Sequence, residues 1–302
     1  MLANLFRKTN LTTMVLGFVM VFIVLFFFHA ELYHILGTSM KFFTVLLETV
    51  LLMALMGILY RIKKKDRYFV VPPILFLMAP LVLFLAPRQS FQIEGLVLSL
   101  FLALAFQEVV MMEQRSQIHK PLFNISFLLC LIAYIEPLLS PLFLIIIGVL
   151  IQKKQLNIKG ITAVITPVLA FSFLFLSLGF FWELENIQLW KLSLRERRSF
   201  LGVEELIFLG FIFFVTALLL FSKANQSTIS SSLKNLFHLV TLVLGLGIAV
   251  SPIESQFNFY EIIFFSTLYL AGIALYSLSN FKVNIILYLL IALKTAALIL
   301  IN

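Results

Sequence analysis

Charge is scarce in this sequence. Asp, Glu, Lys and Arg together make up 12% of its 302 residues, against roughly 25% in soluble domains. Hydrophobic residues make up 62%, and the mean hydropathy is +1.10. A soluble fold of this length has too little interior to hide so much apolar surface. A bilayer supplies the missing apolar solvent, and at roughly 20 residues per spanning helix the chain has room for about a dozen. Cysteine is nearly absent as well. Cys130 stands alone inside an apolar run, which excludes an intrachain disulfide and any multi-cysteine metal site. The chain also lacks a phosphate-binding glycine loop, a nucleophile elbow, a paired-cysteine zinc motif and HExxH, so nothing supports an ATP-driven or proteolytic activity.

What is present is a succession of apolar runs separated by charge or turn residues, at 11–29, 41–60, 69–86, 94–112, 122–136, 138–151, 160–182, 205–222, 235–250, 260–278 and 283–301. Arg7 and Lys8 ahead of the first run give it the outline of a signal peptide. The run is too long for one, however, and no small-x-small cleavage site follows, so it reads as a retained first helix. Glu136-Pro137 and Pro141 break the fifth and sixth runs apart, leaving open two crossings or one re-entrant hairpin over 122–151. The expectation is an all-α polytopic transmembrane bundle of about 10–11 helices, with residues 1–302 forming one membrane domain.

Basic residues near helix ends resist translocation, so their distribution orients the chain. One side holds fifteen: Arg7, Lys8, Arg61, Lys63, Lys64, Lys65, Arg67, Arg115, Lys120, Lys153, Lys154, Lys159, Lys223, Lys234 and Lys282. The other holds six, namely Lys41, Arg88, Lys191, Arg195, Arg197 and Arg198. The first side is cytoplasmic, the N-terminus lies on it, and the location implied is a bacterial inner membrane. The net charge of +8 is thereby assigned to membrane orientation, since the basic residues form no continuous stripe of the kind nucleic acid would need. An odd helix count puts Asn302 outside.

Only the connection 183–205 is long enough to be more than a turn. It places Leu184, Ile187, Trp190 and Leu194 at rough helical spacing among charges of both signs, as an interfacial helix on the outer face would. Its Arg195, Arg197 and Arg198 offer guanidinium forks that match phosphate oxygens, as on a lipid-linked phosphate. Glu196, Glu204 and Glu205 are equally placed to neutralise them.

Ionisable residues inside the hydrocarbon region are the other pointers, because leaving one unpaired there costs several kcal/mol. Glu48 and Lys294 fall at a similar depth, about 10 Å from the outer ends of their helices at roughly 1.5 Å per residue, which permits an ion pair. That pair is either structural or part of a proton or substrate path, on which Glu136 would also lie. Glu108, at the inner end of its run, can reach Arg115 or Lys120 and is read as structural. The four histidines do not make a metal centre. His29 and His34 sit at the outer end of the first helix, whereas His119 and His238 sit towards the inner side, across a core of roughly 30 Å. No cofactor is expected.

Two resemblances add to this reading. The opening MLANLFRKTNLTTMVLGFVM and the segment RSQIHKPLFNISFLLCLIAYIEPLLSPLFLIIIGVLIQKKQLNIKGITAVITPVL resemble an uncharacterised family of bacterial inner-membrane proteins typical of Bacteroidota. That likeness implies a polytopic envelope protein. The same central segment is similar to the middle of polyprenyl-phosphate-dependent multi-helix membrane glycosyltransferases, in which a carboxylate of the first outer loop acts on the acceptor. Glu31 is the residue this implies as catalytic. Residues 29–40 are barely a turn where that family has a long helical loop, and its paired Asp-Glu motif is absent, so a degenerate relative fits as well as an active one. The resulting expectation is an accessory or scaffold component of cell-envelope biogenesis, with partners in the bilayer, in lipid-linked phosphate or among envelope proteins. The alternatives are a transferase of lipid-linked sugar and a secondary transporter.

Overall fold

The computed structural model describes residues 11–28, 38–65, 75–86, 93–114, 118–181, 203–221, 233–250, 259–276 and 278–301. Among them the regular structure is entirely helical. In chain order the helices are α1 (Leu11–Phe28), α2 (Thr38–Lys65), α3 (Leu75–Leu85), α4 (Ile93–Gln114), α5 (His119–Ile135), a 3-10 helix (Pro137–Leu142), α6 (Phe143–Gln152), α7 (Ile158–Phe181), α8 (Val203–Phe221), α9 (Leu233–Val250), α10 (Phe259–Tyr276) and α11 (Asn280–Ile301). Each apolar run corresponds to one α-helix. Two stretches, Phe42–Arg61 in α2 and Ile93–Met112 in α4, are long and apolar enough by length and composition to cross a membrane.

One boundary that departs from the sequence reading is the end of α2, which runs on through Arg61, Lys63, Lys64 and Lys65. Cations in a last turn face the negative end of the helix dipole, so a basic cluster that ends an apolar run need not end its helix. At 28 residues and about 1.5 Å per residue, α2 is about 42 Å long.

Contacts divide the chain into two compact units. The first comprises Met1–Leu100, Ser199–Ser230 and Phe264–Asn302; the second comprises Phe101–Arg198 and Ser231–Ile263. In the first unit α3 is the hub, packing against α1, α2, α8 and α11, and its residues from Phe76 onward are almost all buried. Pro80 lies inside it and has no N–H to give to the Phe76 carbonyl four residues back. At that turn α1 lies close: a Cβ on Gly17 would be 3.2 Å from both Phe76 Cβ and the Phe76 carbonyl oxygen. Glycine allows the approach. On α1, Thr13, Gly17, Val21 and Leu25 are buried, while Val15, Val19, Ile23 and Phe27 are exposed. Both sets repeat every four residues, so the helix turns one apolar face inward and another outward.

In the second unit α5 packs against α7, α6 and the 3-10 helix, and α9 packs against the 3-10 helix and α6. The turn from α6 to α7 is built by local hydrogen bonds. Gln155 N–H donates to Leu150 O at 2.9 Å and Lys154 N–H to Ile151 O at 3.1 Å, the paired bonds of a Schellman C-cap. Lys154 occupies the left-handed position with φ 52, which costs a non-glycine residue about 1 kcal/mol. Asn157 then caps α7, its Oδ1 accepting the Gly160 N–H at 2.8 Å. A Cβ at Gly160 would collide with the Gln155 carbonyl oxygen. Opposite outcomes are therefore expected within one turn: Gly160→Ala should destabilise the purified protein by about 2–3 kcal/mol, and Lys154→Gly should stabilise it by about 1 kcal/mol. Thermal unfolding of the two variants beside the wild type checks both signs.

Candidate functional site

Among the described residues, polar groups are few inside this protein, and several have a local partner. Three of the buried hydroxyls fold back on their own helices: Thr49 Oγ1 donates to Val45 O at 2.7 Å, Ser126 Oγ to Leu122 O at 2.8 Å and Thr241 Oγ1 to Phe237 O at 2.8 Å. Such bonds satisfy a hydroxyl without calling on another helix. Among the described residues the buried Glu, His and Lys side chains are Glu48, Glu136, His238, Glu261 and Lys294.

Lys294 and Glu48 belong to the first unit. Lys294, on α11, is 1% exposed, and its Nζ donates to Ala86 O at 3.3 Å. Ala86 follows the last residue of α3, its own N–H donating back to Val82 O and Leu83 O at 3.1 Å. Pro87 comes next in the sequence and cannot continue the helix. The ammonium thus serves a terminal carbonyl that the helix ladder leaves over, at the end of α3 where the dipole favours positive charge. Glu48 is equally buried on α2. Since α2 and α11 both pack on α3, the structure puts the two sequence-selected charges on neighbours of one hub.

Glu136 belongs to the second unit and closes one helix while opening the next. Its N–H donates to Ile132 O at 2.8 Å, ending α5, and its carbonyl accepts the Leu139 N–H at 3.0 Å. Its Oε1 accepts the Leu138 N–H at 3.2 Å, an N-cap on the 3-10 helix. The extended backbone at Glu136, φ −136 and ψ 98, is the conformation a following proline imposes. Pro137 at the first position of the 3-10 helix loses nothing by lacking an N–H. The sequence marks the break correctly, and the structure adds that the chain's own groups satisfy it.

No family model, curated protein or solved structure matches this chain. Its chemistry is therefore read from its own residues. Of two further buried groups, Glu261 escaped the sequence reading, and His238 entered it only as a metal-ligand candidate that was set aside. Glu261 sits in the first turn of α10, where an acidic residue complements the positive helix end; that position was the available signal. His238, on α9, packs its ring against Phe106 of α4 at a centroid distance of 4.4 Å and against Phe237 at 5.8 Å. Nothing in the apolar sequence around it announces that aromatic enclosure.

Glu31, Arg195, Arg197 and Arg198 lie outside the described residues, as does most of the 183–205 connection. Among the described residues no three His, Cys, Asp or Glu side chains gather as a metal site. Phosphate binding by the arginines and acceptor activation by Glu31 therefore stand as sequence proposals, separate from the geometry at Glu48, Lys294 and Glu136.

Proposed function

We propose that this chain is a multi-pass protein of a bacterial inner membrane, with its N-terminus in the cytoplasm, serving as a non-enzymatic accessory or scaffold component of cell-envelope biogenesis. The observation that carries the membrane part is the apolar outer face. Eight helices, α1, α2, α5, α6, α7, α8, α9 and α11, expose large hydrophobic side chains, among them Phe213 at 77%, Phe281 at 75% and Phe173 at 74%. Soluble monomers rarely expose contiguous apolar patches beyond a few hundred Å². A helix apolar on every side belongs either in a large core or in lipid. The α5 leg is about 25 Å long, and the 3-10 helix with α6 adds about 27 Å. Two crossings of a core of about 30 Å suit these lengths better than a shallow re-entrant hairpin.

The scaffold part is supported by what the internal charges do. Glu136 caps a helix and Lys294 serves the end of another, which are structural tasks. The resemblance to polytopic envelope proteins of Bacteroidota points the same way. Deletion of the gene is expected to weaken the envelope, measured as sensitivity to detergent, and Glu31→Gln and Glu48→Gln are each expected to restore resistance fully. A Glu31→Gln protein that is made at normal level but fails to complement would favour the transferase. The same failure by Glu48→Gln would favour transport.

A further inference from the structure

A recess of about 230 Å³ opens between α4 and α5, lined by Leu104, Glu108, Asn124, Phe127 and Leu128. Leu104 and Glu108 are one turn apart on α4, and Asn124, Phe127 and Leu128 share a face of α5 through their i, i+3, i+4 spacing. On α4 Glu108 is the lining residue nearer the C-terminus, and on α5 Asn124 is the one nearer the N-terminus; taking the two consecutive helices as antiparallel, Glu108 and Asn124 form one end of the recess and Leu104, Phe127 and Leu128 the other. The polar end lies towards the C-terminus of α4 and the N-terminus of α5. Lys120, exposed and one turn before Asn124 on α5, stands beyond that end. The apolar wall is braced from behind, since the Phe127 ring meets Phe171 of α7 edge-on at 6.4 Å.

This gradient of carboxylate, amide and hydrocarbon along one short cleft is that of an amphiphile lying parallel to the helices. The volume holds about seven waters at roughly 30 Å³ each and falls below the ~300 Å³ at which sites for whole small molecules begin. A headgroup fits; a cofactor does not. The charges narrow the class further. The carboxylate of Glu108 and the amide oxygen of Asn124 accept hydrogen bonds, and a primary ammonium brings three donors. A trimethylammonium brings none, and a headgroup without an ammonium brings no charge-assisted donor to these oxygens. Lys120 supplies a positive charge where a phosphate would follow the ammonium.

Resting on the membrane reading above, we propose that the recess between α4 and α5 is a headgroup site for an ethanolamine phospholipid of the cytoplasmic leaflet. The ammonium is held by Glu108 and Asn124, the phosphate lies towards Lys120 and the start of an acyl chain lies on Leu104, Phe127 and Leu128. The site gives the protein a preference among bilayer lipids, which a purely apolar surface would not.

Native mass spectrometry of the full detergent-purified chain tests this, with phosphatidylethanolamine, phosphatidylcholine and phosphatidylglycerol of identical acyl chains supplied at equal concentration. The wild type should retain the ethanolamine lipid about tenfold over the choline lipid, the weight of one charge-assisted hydrogen bond. Glu108→Gln should reduce that preference to about twofold or less. Lys120→Met should weaken retention of both lipids while preserving their order. Equal retention of ethanolamine and choline lipids by the wild type overturns the site without recourse to any variant. An undiminished preference in a Glu108→Gln protein of unchanged elution does so too, as does strongest binding of phosphatidylglycerol. A wild-type chain that stays monodisperse without detergent would instead remove the membrane reading itself, and the site with it.

Discussion

Phe213→Arg is expected to deplete the protein from the membrane fraction. Phe213 lies at the middle of α8 and is 77% exposed. In water, exchanging an exposed phenylalanine for arginine changes stability by about 0.5 kcal/mol or less and improves solubility. In hydrocarbon the sign reverses. Arginine at a helix centre costs about 2.5–3.5 kcal/mol on the insertion scale, while phenylalanine contributes favourably, so the exchange amounts to about 3–4 kcal/mol. That is a shift of roughly a hundredfold or more in insertion. Phe281 is the matched control: it is 75% exposed, but it stands beside Asn280, the first residue of α11. An arginine there can reach the interface along its own methylenes, so Phe281→Arg should be nearly neutral. Abundance in washed membranes and protease protection of α8 read the difference. Equal tolerance of both substitutions would contradict a bilayer around this face.

The same apolar excess explains what was legible in the sequence and what was not. Among the described residues each of the eleven runs between charges corresponds to an α-helix, the structure in which such a run satisfies its backbone within itself. The break at Glu136 was readable because Pro137 and Pro141 forbid a continuous helix. Which face of each helix turns inward was not readable. On α1 the buried Val21 and Leu25 and the exposed Val19 and Ile23 are chemically alike, so the amphipathic signal that locates a core in a soluble helix is missing. Partners distant in sequence were hidden for a related reason. Lys294 was identifiable as costly in an apolar helix, but its acceptor, the Ala86 carbonyl, is a backbone group 208 residues away and has no side-chain signature. The α4–α5 recess was hidden likewise, since it needs Glu108 and Asn124 from two helices together.

Lys294 and Glu48 carry the prediction that separates a structural pair from independent groups. Lys294→Met removes a charged donor from the Ala86 carbonyl, a loss of about 1.5–3 kcal/mol for a hydrogen bond to an ionised group. If the buried Glu48 also depends on that ammonium, as proposed from their matching depth, the substitution strands a carboxylate as well and the cost rises to about 3–5 kcal/mol. Glu48→Gln removes the stranded charge while keeping the shape. The double variant is then expected to be more stable than the sum of the single losses implies, with a coupling above about 1 kcal/mol in thermal or denaturant unfolding. Additivity within about 0.5 kcal/mol would leave Lys294 as the cap of α3 alone and Glu48 with other partners. Coupling and function can then be compared in the same double variant. A chain that regains stability through Glu48→Gln and Lys294→Met together, and still restores the envelope of a deletion strain, does its work without either charge. That combination is what a scaffold allows and a proton or substrate path through Glu48 does not.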